Sequence, residues 1–276
     1  MLKKLLSYDF KALFKYWWIG ALTTLALSAV GAGCGTILET EKELPGSVIV
    51  FATIGMVLVV LSIFAFIIFS ELLVYVRFYK HLFTDEGYLT FTLPVKRHQI
   101  LSSKLISGFV CCLLTFIVAA ADAAIIILTT FKKDIFYKGW YADFVTGVKE
   151  LIADFGAANL TIQIIEVVVL AVLVLALGIL FTYLCITLAG AISKKSKLGS
   201  AILIYYGATS VSSVFTYMLY FFGVDAVYGW MYDLPRNTEI MLYPLFLLLA
   251  IFFIAMLSVA AYTLNYRLLD RKLNLN

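Results

Sequence analysis

Histidine occurs twice and cysteine four times in 276 residues, and neither recurs at a spacing that would build a metal site. No G-x-x-x-x-G-K phosphate loop, Gly-x-Ser-x-Gly elbow or H-E-x-x-H pair is present, so the usual signatures of a nucleotide hydrolase, a serine hydrolase and a zinc protease are missing. Charge is scarce too. Asp, Glu, Lys and Arg make up 14% of the chain, against roughly 25% in an ordinary soluble domain, which excludes a water-solvated globule. What fills the space is apolar: 63% hydrophobic and 16% aromatic residues, with a mean hydropathy of +1.00.

The apolar residues fall in blocks. A helix needs about 20 of them to cross a hydrocarbon layer about 30 Å thick, because its backbone polar groups must be satisfied within the segment. Six blocks qualify, at about 16–37, 47–76, 100–131, 160–190, 198–222 and 240–265. The expected fold is an all-α membrane protein: one permease-like domain over 1–276, with six transmembrane helices. Orientation follows from Lys and Arg, which are retained on the cytoplasmic side. Fifteen of the 21 lie in the N-terminus, the second and fourth connections and the C-terminus. The other six share the alternate connections with ten acids, among them Glu39, Asp143 and Asp233. Both termini are therefore expected in the cytoplasm, with the chain in a plasma membrane, most simply a bacterial one. The net charge of +4 reads as this asymmetry and not as nucleic-acid binding.

Residues 2–17 place Leu2, Leu5, Leu6, Phe10, Leu13, Phe14 and Trp17 opposite Lys3, Lys4, Ser7, Lys11 and Lys15. This pattern predicts an amphipathic elbow helix over 1–15, lying against membrane lipid. Lys3 and Lys4 ahead of a run ending in Gly31-Ala32-Gly33-Cys34 loosely match a lipoprotein leader. The charged region is too long, however, and Gly31 stands where a larger aliphatic residue is needed, so cleavage is not expected. The external connection 132–159 mixes Phe136, Tyr137, Trp140, Tyr141 and Phe144 with charges, which predicts an amphipathic helix on the outer surface. Cys111, Cys112 and Cys185 lie inside spans and read as small packing residues.

The connection 78–99 is neither plain linker nor plain helix. Thr84 or Asp85 can cap a helix start, Gly87 permits a turn, and Pro94 interrupts a regular ladder. Between them Tyr88, Leu89, Phe91 and Leu93 gather bulky apolar side chains where water should reach. From the residues alone two readings stay open: a knob buried in a partner protein, or a segment folded back on lipid headgroups.

Here Glu86-Gly87-x-Leu89, then Leu93-Pro94-Val95-x-Arg97, then Ile100-Leu101 and Lys104 resemble the E-x-G-x-L…P-V-x-R…I-L-x-x-K signature of ABC-2 type permeases, the transmembrane subunits of ATP-binding cassette exporters. The elbow, the six spans, the internal termini and the structured first cytoplasmic loop extend the resemblance over essentially the whole chain. One departure is that Glu86 abuts Gly87 with no residue between, which unsettles the register of the first turn. The resemblance implies that 78–99 is a coupling loop docking into a separate ATPase subunit, which alone would bind ATP and Mg, leaving this chain with no cofactor and no catalytic residue. It further implies that Asp85, Glu86 and Gly87 open the contact, that Tyr88, Leu89, Phe91 and Leu93 form the knob, and that Arg97 faces the ATPase or the headgroups. A second permease chain, most simply an identical one, completes the pathway.

Three acids fall inside spans: Glu71, Asp122 and Glu166. Burying a carboxylate there costs several kcal/mol unless it is paired, neutralised or hydrated, so each is a candidate pathway or polar-contact residue. Glu71 has loop cations nearby in sequence, Glu166 sits in an outer turn that can reach the interface, and Asp122 has no such escape. The expected function is export of an amphipathic or hydrophobic substrate, a peptide being one class. The competing reading is a non-transporting sensor or immunity protein that binds a partner through 78–99. A third, an intramembrane enzyme, requires Asp122 and Glu166 to share a cavity.

Overall fold

In long runs of Leu, Ile, Val, Phe and Ala the backbone can satisfy its hydrogen bonds only within itself, and the computed structural model answers with helices. It describes residues 2–40, 44–84, 86–87, 92, 95–192, 197–219, 221, 229 and 236–271. Helix α1 is Leu2–Leu38, α2 Gly46–Phe83, α3 Arg97–Thr130, the short α4 Lys132–Ile135, α5 Trp140–Phe155, α6 Ala157–Ile192, α7 Lys197–Leu219 and α8 Arg236–Arg271. Among the described residues there is no strand.

Among the described residues five helices are long and apolar enough to cross a membrane: α1, α2, α3, α6 and the Leu242–Asp270 stretch of α8. Their outward faces carry large apolar side chains, such as Phe51, Phe64 and Phe252. A surface of that kind is stable against lipid and not against water. The sixth expected span, 198–222, corresponds to α7, which has the length but interleaves Ser, Thr, Tyr and Gly with its apolar residues.

The elbow expected at 1–15 does not form a separate piece. No proline or glycine interrupts the chain before Gly20, and the amphipathic turns run straight into the first span as one helix of 37 residues. At 1.5 Å per residue it is about 55 Å long, well beyond the hydrocarbon thickness.

The chain divides into two compact units, one comprising 1–78 with 102–146 and the other 79–101 with 147–276. In the first, α1 and α2 run antiparallel. Gly31 faces Val59 and Gly55 faces Cys34, each so closely that an added methyl group would crowd the partner. Helix α3 lies along α1 in the same direction, since the Trp17 indole donates to Thr115 Oγ1 at 2.8 Å and Gly35 meets Thr130. Small residues that admit close approach are how membrane helices associate when lipid is as apolar as the interface.

In the second unit α8 packs extensively along α6, and α7 packs on α6. Asn265 ties α8 to α6: its amide donates to Leu180 O and Ala261 O, both at 3.0 Å, and its oxygen accepts from the Thr187 hydroxyl at 2.9 Å.

Within 132–159 the expected amphipathic helix is α5, none of whose residues is buried. Glycines at positive φ bracket it, Gly139 at 113° and Gly156 at 77°, values that a side chain would oppose. Here the Tyr137 hydroxyl donates to Asp143, which raises the Tyr137 pKa by favouring its neutral form.

Candidate functional site

The connection between α2 and α3 is built from its flanks inward. On the N-terminal side, Phe83 ends α2 buried at 5% exposure and lies in a notch on α6 at Gly190. A Cβ on that glycine would stand 2.2 Å from the Phe83 ring, so the notch exists only because residue 190 has no side chain. The chain then turns, with the Gly87 N–H donating to Thr84 O at 2.7 Å. A Cβ on Gly87 would meet the Leu82 carbonyl oxygen at 2.7 Å. That obstacle is backbone, which cannot swing aside, so the turn requires glycine at this place. Glu86 is exposed, its carboxylate 3.5 Å from His81 Nε2.

On the C-terminal side Arg97 opens α3. Its Nη1 donates to the carbonyl oxygens of Leu269 and Asp270, both at 2.6 Å, and lies 3.3 Å from Asp270 Oδ1. These carbonyls lie in the last turn of α8, where a helix leaves carbonyls without intrahelical partners, and a cation there also opposes the negative end of the helix dipole. The guanidinium that the resemblance aims at the ATPase or the headgroups is thus engaged by the last helix. Ile100 and Leu101 follow it, 2% and 0% exposed. Of the residues expected to make the coupling contact, Glu86, Gly87 and Arg97 are placed; Asp85, Tyr88, Leu89, Phe91 and Leu93 lie outside the described residues.

The intramembrane acids have different surroundings. Glu71 is half-buried in α2 and makes no salt bridge among the described residues. Glu166, expected to reach the interface, is instead 5% exposed, and its Oε2 has no hydrogen-bond partner. Asp122 is fully buried, and neither carboxylate oxygen is hydrogen-bonded.

One charged site went unread in the sequence. Asp9, 3% exposed on α1, accepts from the Ser103 hydroxyl at 2.8 Å and from the Lys104 ammonium, with Arg77 Nη2 3.5 Å away. It pins α1 to α2 and α3. The signal was available: Asp9 is the only acid before Glu39, and it lies one helical turn before Leu13 and two before Trp17, both buried. Lys104, the last residue of the permease-like motif, is spent on this pair.

The four cysteines are free thiols, and no group of His, Cys, Asp or Glu among the described residues is arranged to hold a metal ion. Comparison of the chain with family models, with curated proteins and with solved structures finds no match.

Proposed function

We propose that this chain is the permease subunit of an ATP-binding cassette exporter of the ABC-2 type. It moves an amphipathic or hydrophobic substrate outward across a bacterial plasma membrane. In this reading α7 is the sixth span, both termini are cytoplasmic, and a second copy of the chain completes the pathway. Separate ATPase subunits bind ATP and Mg and engage the 78–99 loop.

The observation that carries this reading is the way the loop is held. A segment with the permease-like motif joins two long membrane helices and is secured on one side by Phe83 at Gly190 and on the other by Arg97 at the end of α8. A passive linker needs no such fixing; a lever pushed from outside does. The asymmetry of Lys and Arg supports the orientation. Because ATP-driven release outward requires two states of different substrate affinity, a loop whose flanks contact α6 and α8 is a suitable input.

The test is gentle purification of the tagged chain from its native membrane, with stoichiometric partners identified by mass spectrometry, repeated with Tyr88, Leu89 and Phe91 changed to alanine. An ATP-binding cassette ATPase recovered with the natural chain and lost from the variant is the expected result. Recovery of the chain alone, or with a kinase or protease, would overturn the reading.

A further inference from the structure

The last turn of a helix leaves carbonyls without intrahelical partners, and a donor for them from the same helix would be the simplest arrangement. The donor that reaches Leu269 O and Asp270 O nevertheless comes from Arg97, far away in the chain. Arg97 is three residues past Pro94 and begins α3, and the Gln99 N–H closes the turn onto Lys96 O at 2.9 Å. Ile100 and Leu101 then anchor the same helical start by burial. Little slack separates the loop from the guanidinium. The side chains of Arg97 and Asp270 are exposed, so the ion pair at 3.3 Å adds little, and the joint rests on the two short charge-assisted bonds that one nitrogen makes to the helix-end carbonyls.

We propose that Arg97 is a positioning residue that clamps the C-terminal end of α8 to the 78–99 loop, so that displacement of the loop is passed to the last membrane helix. The source of that displacement rests on the permease reading; the clamp itself rests on the contacts. Arg97 acts through α8. Glutamine lacks the charge, whereas lysine keeps a charged donor and restores part of the contact.

The experiment is amide hydrogen exchange of the full chain in lipid nanodiscs, alone and with the co-purified ATPase, with and without a non-hydrolysable ATP analogue. In the chain alone, Arg97→Gln is expected to speed exchange in the last turn of α8 about tenfold, the effect of losing one good charged hydrogen bond. Arg97→Lys should fall between the two. Asp270→Asn, which keeps both carbonyl acceptors, should stay near the natural chain, and it serves as the control should Arg97→Gln fold poorly. In the complex, Arg97→Gln should retain the ATPase subunit while the nucleotide-dependent change in α8 disappears. A cap that is structural only would lose protection yet keep that nucleotide response.

Equal exchange in the natural chain and Arg97→Gln would overturn the clamp, as would a nucleotide response in α8 that survives the substitution, or a loss in Asp270→Asn as large as in Arg97→Gln. Absence of any ATPase partner from the natural chain is a separate result. It would overturn the permease reading and, with it, the passing of loop displacement to α8, while the exchange of the chain alone still decides the joint.

Discussion

Asn265 and Asp122 are both fully buried on membrane helices, one in each compact unit, and they are treated in opposite ways. Asn265 uses its amide hydrogens and its oxygen on named partners. Asp122 uses neither oxygen. A buried polar group whose bonds are all made rigidifies its surroundings, whereas an unmade one carries its whole desolvation cost. Asn265 therefore reads as a fastening between α6 and α8. Asp122 carries a desolvation cost that no hydrogen bond offsets. Burial is equal, and the two differ in satisfaction as well as in charge.

The largest expected effect tests whether charge by itself makes the difference. Asp9 is a buried acid like Asp122, but it is satisfied by Ser103 and Lys104. Asp9→Ala removes the carboxylate from a buried pair with Lys104, and breaking such a pair by removing one partner costs about 3–5 kcal/mol. Thermal unfolding in detergent should show a large loss, and an unchanged midpoint would remove the cluster from the account of α1.

Next comes Asn265→Leu, which keeps the volume and removes the amide. Side-chain hydrogen bonds between membrane helices are modest, so the expected loss is about 1–2 kcal/mol, read in the same assay. A gain in stability would mean that the network is not a fastening.

Asp122→Asn should move the other way. Replacing an uncompensated carboxylate with an amide that can find a carbonyl should leave the midpoint unchanged or raise it slightly, by about 1 kcal/mol or less. ATP-dependent transport in the reconstituted complex should fall. A clear destabilisation would place Asp122 with Asn265 and end the contrast.

The smallest effect lies outside the membrane, at Tyr137. Its raised pKa follows from its bond to Asp143. The contribution of that bond is present below the ordinary tyrosine range near pH 10 and is lost as pH rises through the higher folded value. Asp143→Asn should bring the titration of Tyr137 down, followed by ultraviolet difference spectra against Tyr137→Phe.

The long helices were legible because their cause is local: an apolar run in lipid must satisfy its backbone internally, and α1, α2, α3, α6 and α8 follow the runs closely. The amphipathic helix in 132–159 was legible from another local cause, the alternation of aromatic and charged residues along one segment. The elbow expected over 1–15 is continuous with the first span in α1, because amphipathicity marks which side of a helix is polar and says nothing about where the helix ends, and no proline or glycine precedes Gly20. Arg97 was legible as a residue of interest, but the end of α8 that engages it lies 172 residues away. Asp9 drew no notice in the sequence, because its partners Arg77, Ser103 and Lys104 come from α2 and α3.

Composition and periodicity thus determined that this chain is helical and lives in a membrane, because both depend on the solvent each segment meets and on neighbours three or four residues away. The tertiary structure alone decided which buried polar groups are satisfied. Satisfaction depends on partners brought from distant segments to within 3 Å, and no local pattern encodes that meeting. Lys104 closing on Asp9, Arg97 closing on α8, and Asp122 closing on nothing are all decisions of packing.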